Sequence, residues 1–299
     1  MERPELLIPA GNLEKLRTAV LYGADAVYVG VEGLSLRAKQ AEFSIAELEQ
    51  GIREAHQQEV KVYAALNIFA QNQDLNLVKE KVGVLSEIGI DGVILSDPGI
   101  LRIVRKTKPE LPVHLSTQAN TTNSEAVRFW YEQGVKRIVL ARELNLEQIS
   151  EIAAEVPQVE LEAFIHGAMC MAYSGRCFLS AYLTNRSSNR GECVHPCRWE
   201  YKVVERSRPD EVLILEEDER YTYLFSSKDL RMIQYLPQVL AAGVSSLKIE
   251  GRMKTVYYVA VVTRTYRWAL DAAVRDPKGY RCDPAWLTEL DKVSNRDYT

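Results

Sequence analysis

The residues most able to do chemistry in this sequence are its cysteines. Four of the five, Cys170, Cys177, Cys193 and Cys197, fall within 28 residues as C-x6-C-x15-C-x3-C, and Cys282 stands alone. Thiolates grouped in this way hold structural zinc or an iron–sulfur cluster. The spacing is neither the paired C-x2-C of a zinc ribbon nor a ferredoxin run, so it leaves zinc and iron open. Four unliganded, buried thiols are the plainer reading. His166 stands four residues before Cys170, which would suit a thiol–imidazole dyad, but that reading leaves three cysteines unexplained.

A basic stretch overlaps the second cysteine pair. Residues 176–208 carry seven cations (Arg176, Arg186, Arg190, Arg198, Lys202, Arg206 and Arg208) against Glu192, Glu200 and Glu205, a local balance of +4 in a chain of net charge −4. Tyr173, Tyr182, Trp199 and Tyr201 interleave with them. Cations among aromatic rings suit single-stranded RNA, through phosphate contacts and base stacking; a solvated loop with paired charges is the other reading. The acidic total argues against a whole-surface nucleic-acid binder. No H-E-x-x-H, G-x-S-x-G or P-loop pattern is present.

The elements that must position these residues follow a repeated pattern. A glycine, a tight turn and an apolar strand recur at residues 23–30, 89–97, 134–142 and 243–251. Further strands are expected at 5–11, 61–66, 113–116 and 159–165, making eight. Amphipathic helices are expected at 15–21, 46–57, 75–88, 99–106, 124–133, 146–155 and 256–273. Strands alternating with helices predict a parallel sheet. Eight such units predict an α/β fold of the (β/α)8 TIM-like barrel type, one domain over residues 1–299. A Rossmann fold lacks its G-x-G-x-x-G after the first strand. Residues 166–243 form an insertion between strands seven and eight that holds all four clustered cysteines, with Glu216 to Glu219 as an acidic hairpin tip.

Barrels place their chemistry at the C-terminal ends of their strands. Asn67, Asp97, Ser116, Thr117, Gln118, Asn120, Arg142, Glu143, His166, Lys248, Glu250 and Arg252 fall there. Arg142, Lys248 and Arg252 suit a clamp for a carboxylate or phosphate. The candidate catalytic residues are His166, Glu162 and Arg142, and the candidate substrate-binding residues are Lys248, Arg252, Gln118, Arg176 and Arg198. The chain is 46% hydrophobic and 26% charged, an ordinary globular mix. Its longest strongly apolar stretch, Val256 to Val262, is far short of the ~20 residues that span a bilayer. No signal-peptide core opens the sequence, so a cytoplasmic protein is expected.

The run Glu162 to Ser180 resembles the signature of the collagenase-like U-type peptidase family, number thirty-two: E-x-F-x-x-G-[SA]-x-C-x4-G-x-C-x-x-S. Glu162, Phe164, Gly167, Ala168, Cys170, Gly175, Cys177 and Ser180 all fit it. The flanks Cys197-Arg198-Trp199, Ser226 to Leu230 and Leu247 to Arg252 are similar to the family's tRNA-hydroxylation branch. The resemblance implies oxygen-independent hydroxylation of a tRNA wobble uridine to 5-hydroxyuridine, with prephenate, a small dicarboxylate, as hydroxyl source. It implies a [4Fe–4S] cluster on Cys170, Cys177, Cys193 and Cys197, with tRNA as partner. It also implies a further C-terminal domain that these residues do not contain. The family's other expected activities are a U-type peptidase and a quinone-precursor hydroxylase subunit.

Overall fold

The structure, a computed structural model, describes residues 3–35, 43–170, 172–173, 176–199, 203–204, 212–213, 228–295 and 298–299. The expected acidic tip at 216–219 lies outside the described residues, as do Tyr201, Lys202, Arg206 and Arg208; of Arg198 only the backbone is described.

Apolar runs flanked by capping residues give the alternation. Strand β1 (Glu5–Ala10) leads to α1 (Leu13–Leu21), whose first turn is capped by the Asn12 side chain. There follow β2 (Ala26–Gly30), α2 (Ile45–His56), β3 (Lys61–Ala65), α3 (Leu75–Glu87), β4 (Gly92–Leu95) and α4 (Pro98–Thr107). Then come β5 (Val113–Leu115), α5 (Ser124–Glu132), β6 (Arg137–Val139), α6 (Leu146–Glu155) and β7 (Glu160–Ala168). Ser44, Asp97, Asn123 and Asn145 cap α2, α4, α5 and α6 by accepting from backbone N–H groups of the first turn. The recurring glycine ends each helix in a left-handed turn, as at Gly243 with φ of 83°.

The insertion after β7 contains α7 (Leu179–Thr184), a small hairpin of β8 (Val203–Val204) and β9 (Val212–Leu213), and β10 (Asp229–Arg231). The chain then runs through α8 (Leu236–Ala241), β11 (Ser246–Ile249), α9 (Val256–Arg275) and α10 (Pro284–Asp291). The order β1-β2-β3-β4-β5-β6-β7-β11 closes on itself, because β11 pairs in parallel with both β7 and β1 and β6 pairs with β7. This is the expected eight-stranded parallel TIM barrel. Strand β10, α7, α8 and α10 were not expected; each is too short to impose a periodicity on the sequence.

Most of the core lies between the sheet and the helices, where Leu6, Ile8, Val27, Val29, Leu16, Ile52 and Tyr266 are buried together. A second, small cluster of Leu7, Ala26, Tyr28, Tyr63 and Ile94 fills the barrel interior. The alternation Leu6/Leu7/Ile8 and Val27/Tyr28/Val29 sends successive side chains to the two cores, as a pleated strand requires.

Strand β7 runs longer than its neighbours because β10 returns antiparallel along its end, pairing Asp229 with Ala168, Leu230 with Gly167 and Arg231 with His166. Gly167 makes this possible. Its φ is 102°, and a Cβ there would stand 2.3 Å from the Glu250 carbonyl oxygen. Gly167→Ala therefore combines a left-handed backbone with a backbone clash. We expect it to cost about 3 kcal/mol and to lower the melting temperature by roughly 5 °C or more, read by thermal unfolding against wild type.

Candidate active site

A cavity of about 370 Å³ opens at the C-terminal ends of the barrel strands, walled on one side by the insertion. Its lining gathers Ala65 and Asn67 after β3, Ser116, Thr117 and Gln118 after β5, Arg142 after β6, Ala168 at the end of β7, and Glu250 to Lys254 after β11. Tyr28, Phe164 and Lys248 form its floor, and Cys170, Cys177, Cys193 and Cys197 all line it.

Beneath the floor runs a column of buried charge. Lys248 Nζ donates to Glu162 Oε1 at 2.6 Å, and the Glu162 side chain has no exposure at all. The other Glu162 oxygen lies 3.5 Å from Arg137, which in turn donates to Glu160 at 2.8 Å and to Glu5. Glu5 also accepts from Tyr63 Oη at 2.8 Å and Ser246 Oγ at 3.0 Å. These residues stand two apart on β7 and on β11, so the inward-facing positions of several strands supply one network. His114 packs edge-on against Tyr63. Burial, then the nearby Arg137 and Lys248 charges, hold its imidazole neutral far below the usual histidine range.

Higher in the cavity, Tyr28 Oη donates toward Glu250 Oε2 at 2.9 Å, and the Lys248 ammonium lies 4.5 Å from the Tyr28 ring centre. The Arg142 guanidinium stacks 3.9 Å over the Phe164 ring. Gln118 is locked by Ser116 Oγ and Asn67 Nδ2, both donating to its Oε1, at 2.7 and 2.9 Å. Among the described residues the lining carries Arg142, Lys248, Arg252 and Lys254 against the single acid Glu250. Lys248 is compensated from below by Glu162, and Lys254 lies 4.0 Å from the Asp229 carboxylate. A cationic, partly aromatic cavity of this kind suits an anion with an apolar body.

The insertion is pinned to the barrel rim. Arg190 donates to Asp74 at 3.0 and 3.2 Å and to the Phe69 carbonyl, and Arg176 Nε donates to the Gln118 carbonyl at 2.7 Å. Ser180 Oγ accepts from Val194 N at 3.3 Å, tying the two cysteine segments together. None of the five cysteines is in a disulfide. Leu179 N donates to Cys177 Sγ and His195 N to Cys193 Sγ, each at 3.4 Å. Four cysteine sulfurs on one wall are the soft donors that zinc or an iron–sulfur cluster takes. The donor set therefore fits a thiolate-bound metal or cluster. Among the described residues no three His, Cys, Asp or Glu side chains yet stand close enough to hold a metal ion. The four thiols share a cavity wall.

The structure brings Lys248, Arg252, Gln118, Arg142, Asn67, Ser116, Thr117 and Glu250 to the cavity, as expected, with the four cysteines. It places other candidates elsewhere. His166 does not line the cavity. It is fully buried beside α9, its Nδ1 3.2 Å from Tyr266 Oη and its ring against Tyr258 and Tyr298. Burial, followed by the charges of Arg231 and Lys254, lowers its pKa to about 3. Glu162 lies below the floor as the partner of Lys248. Asp97 caps α4, donated to by Ile100 N. Arg176 fastens the insertion, and Asn120 and Glu143 are not among the lining residues. The sequence reading missed Tyr28, Phe164, Lys254 and Ser294; alternation along β2 and β7 could have found the first two.

Fold and site together define a TIM barrel with an anion-attracting cavity whose wall is a four-cysteine insertion. The chain belongs to peptidase family U32, whose sequence model matches residues 11–299. It is 44% identical over 296 residues to tRNA hydroxylation protein P1 of Bacillus subtilis, covering 99% of this chain and 70% of that one. It is 35% identical to a protein named collagenase from Porphyromonas gingivalis, covering 98% and 72%. In fold it is similar to thiamine phosphate pyrophosphorylase from Pyrococcus furiosus, with a TM-score of 0.50, 12% identity and 90% and 96% coverage.

Two outcomes test the charge column. Lys248→Met alone leaves Glu162 buried beside Arg137 with half its compensation, and we expect a loss of about 3 kcal/mol; adding Glu162→Gln recovers most of it, read by urea unfolding. His166 and His114 are buried neutral, so the unfolded chain binds protons near pH 6.5 that the folded chain refuses. Stability is full above that pH and falls as pH drops, for His166 down to about 3. His166→Gln should remove about 1.4 kcal/mol per pH unit from the wild-type slope between pH 6 and 5.

Proposed function

We propose that this protein is an RNA-modifying hydroxylase that acts on tRNA, converting a wobble uridine to 5-hydroxyuridine. One observation carries the reading: a single cavity is lined by four cysteines on its wall and by Lys248, Arg252, Arg142 and Lys254 below and beside them. A relative named for tRNA hydroxylation, at 44% identity over nearly the whole chain, supports it. In this reading Arg142, Arg252 and Lys254 hold a small dicarboxylate such as prephenate, the expected hydroxyl source. Gln118, held rigid by Asn67 and Ser116, offers its amide to a pyrimidine edge. Glu250, bonded to Tyr28, is the acid nearest the anion and places a base and a hydroxyl at the floor.

Cys170, Cys177, Cys193 and Cys197 would hold a [4Fe–4S] cluster. When bound, such a group supplies one-electron chemistry or a Lewis-acid iron. The chain's own part is to hold the thiols on the cavity wall, with the Leu179 and His195 N–H groups donating to the Cys177 and Cys193 sulfurs.

A peptidase reading rests on the family's name and on the relative named collagenase. It would need a base beside Cys170. The histidine four residues before it, His166, is turned away to Tyr266 with its pKa near 3, so its imidazole is a poor proton acceptor; His195 lines the same cavity as Cys170.

The test is made on protein purified without oxygen and on tRNA nucleosides from a deletion strain. We expect about four iron and four sulfide per chain, with 5-hydroxyuridine restored by the wild-type gene and not by Cys193→Ala. One zinc without sulfide would remove the cluster, and unchanged nucleosides on deletion would remove the activity.

A further inference from the structure

Helix α7 carries different chemistry on its two sides. Leu179 lines the cavity, and Ser180 is fully buried with its hydroxyl tied to Val194 N. Phe178 and Tyr182 stand one turn apart, joined by the Tyr182 N to Phe178 O hydrogen bond of 2.8 Å, and are 80% and 85% exposed. Residues four apart share a helix face. The two rings therefore form one outward platform on the segment that walls the cavity. Tyr173 and Trp199, on the chain flanking α7, are also exposed. Single exposed aromatics are ordinary; two large rings left open on one helical turn are costly to hydrate and mark a contact surface.

The charges around the platform select its occupant. Residues 176–190 contain Arg176, Arg186 and Arg190 and no acid, in a chain of net charge −4. Arg176 and Arg186 are exposed. The Arg176 partner is a backbone carbonyl, which orients the guanidinium without neutralising it. Arg190 is answered by Asp74, which leaves the exposed Arg176 and Arg186 beside the rings. Flat rings beside such cations match a chain with an anionic backbone and stackable bases. A protein partner would bury the rings but would need acids to answer these arginines.

We propose that Phe178 and Tyr182 are a stacking platform for single-stranded RNA, holding the bases next to the one that enters the cavity. This rests on the RNA-modifying reading above and extends it to residues outside the cavity. A base drawn out of its stack loses stacking energy, and a ring beside the entrance restores part of it. The platform thus lowers the cost of presenting one base to the floor.

The experiment uses the full chain and a fluorescein-labelled RNA stem-loop with a uridine-rich loop, followed by anisotropy over a salt series. We expect Phe178→Ala and Tyr182→Ala each to weaken binding roughly five- to hundredfold, with the salt dependence unchanged because no phosphate contact is removed. Arg186→Ala should instead flatten the salt dependence. Tyr182→Trp should keep the affinity, and its added emission should be quenched by the RNA. A stem-loop with abasic sites in its loop should bind wild type and Tyr182→Ala alike. If wild type binds the stem-loop and both alanine variants bind it equally well, the platform is overturned while the RNA reading stands; rings that serve a protein partner would give this result. An equal loss for the abasic and intact loops also overturns it. If wild type binds no RNA even at low salt, the RNA reading itself falls.

Discussion

A carboxylate with no exposure, Glu162, sits in the middle of the barrel between Lys248 and Arg137, and the cavity floor depends on it. Isolating a charge there would cost many kcal/mol, so each member of the column is held by the need to keep the others paired. Glu5 and Glu160 balance Arg137 at the lower end, and Glu162 balances Lys248 at the upper end. TIM barrels usually fill their interior with branched aliphatic layers. This one gives that space to ions and keeps only a small apolar cluster around Tyr28 and Tyr63. The column fixes Lys248 without depending on a ligand. It also answers the Lys248 charge from below, while Arg142, Arg252 and Lys254 line the cavity above it.

The insertion is positioned by equally specific means. Strand β10 zips onto the extended end of β7, which requires the backbone of Gly167 to approach Glu250 without a side chain. Arg190 and Arg176 clamp the middle of the insertion to the loops after β3 and β5. Ser180 and Asn189 then bond to the backbone of Val194 and Cys177, fixing the two cysteine segments relative to each other. Side chains from three parts of the barrel rim thus decide where four thiols stand. All four thiols line the same cavity wall.

Much of the barrel was legible because its signals are local. The recurring glycine and apolar run at residues 23–30, 89–97, 134–142 and 243–251 each became a helix end and a strand, and strand-end position placed Lys248, Arg252, Gln118 and Arg142 correctly. His166 was misplaced for a reason no local pattern carries. The β7–β11 register pairs Phe164 with Lys248 and then His166 with Ile249, so Ile165 is an extra residue, a bulge. A bulge interrupts the inward–outward alternation. Phe164 therefore faces the cavity, while Ile165 joins the outer core and His166 reaches Tyr266. Glu162 sits at an inward position as its parity requires, but depth along the strand puts it below the floor. The cations Arg176 and Arg190 read as ligand contacts in the sequence; their partners, a carbonyl and Asp74, are more than 50 residues away and carry no local signal.

The bulge also bears on which chemistry the scaffold favours. Nucleophilic catalysis by a thiol needs an imidazole near its own unperturbed pKa within reach of the sulfur. Here the only histidine on β7 is buried among Tyr258, Tyr266 and Tyr298, and it stays neutral down to about pH 3. The same turn of chain that buries His166 delivers Cys170 to the cavity wall, which His195 also lines. Four soft donors and several cations line one cavity, and neither set needs a general base on β7. A relative named for collagen cleavage and relatives named for nucleoside hydroxylation can share this barrel, because the column and the pinned insertion specify where a ligand sits and the cavity side chains specify what is done to it.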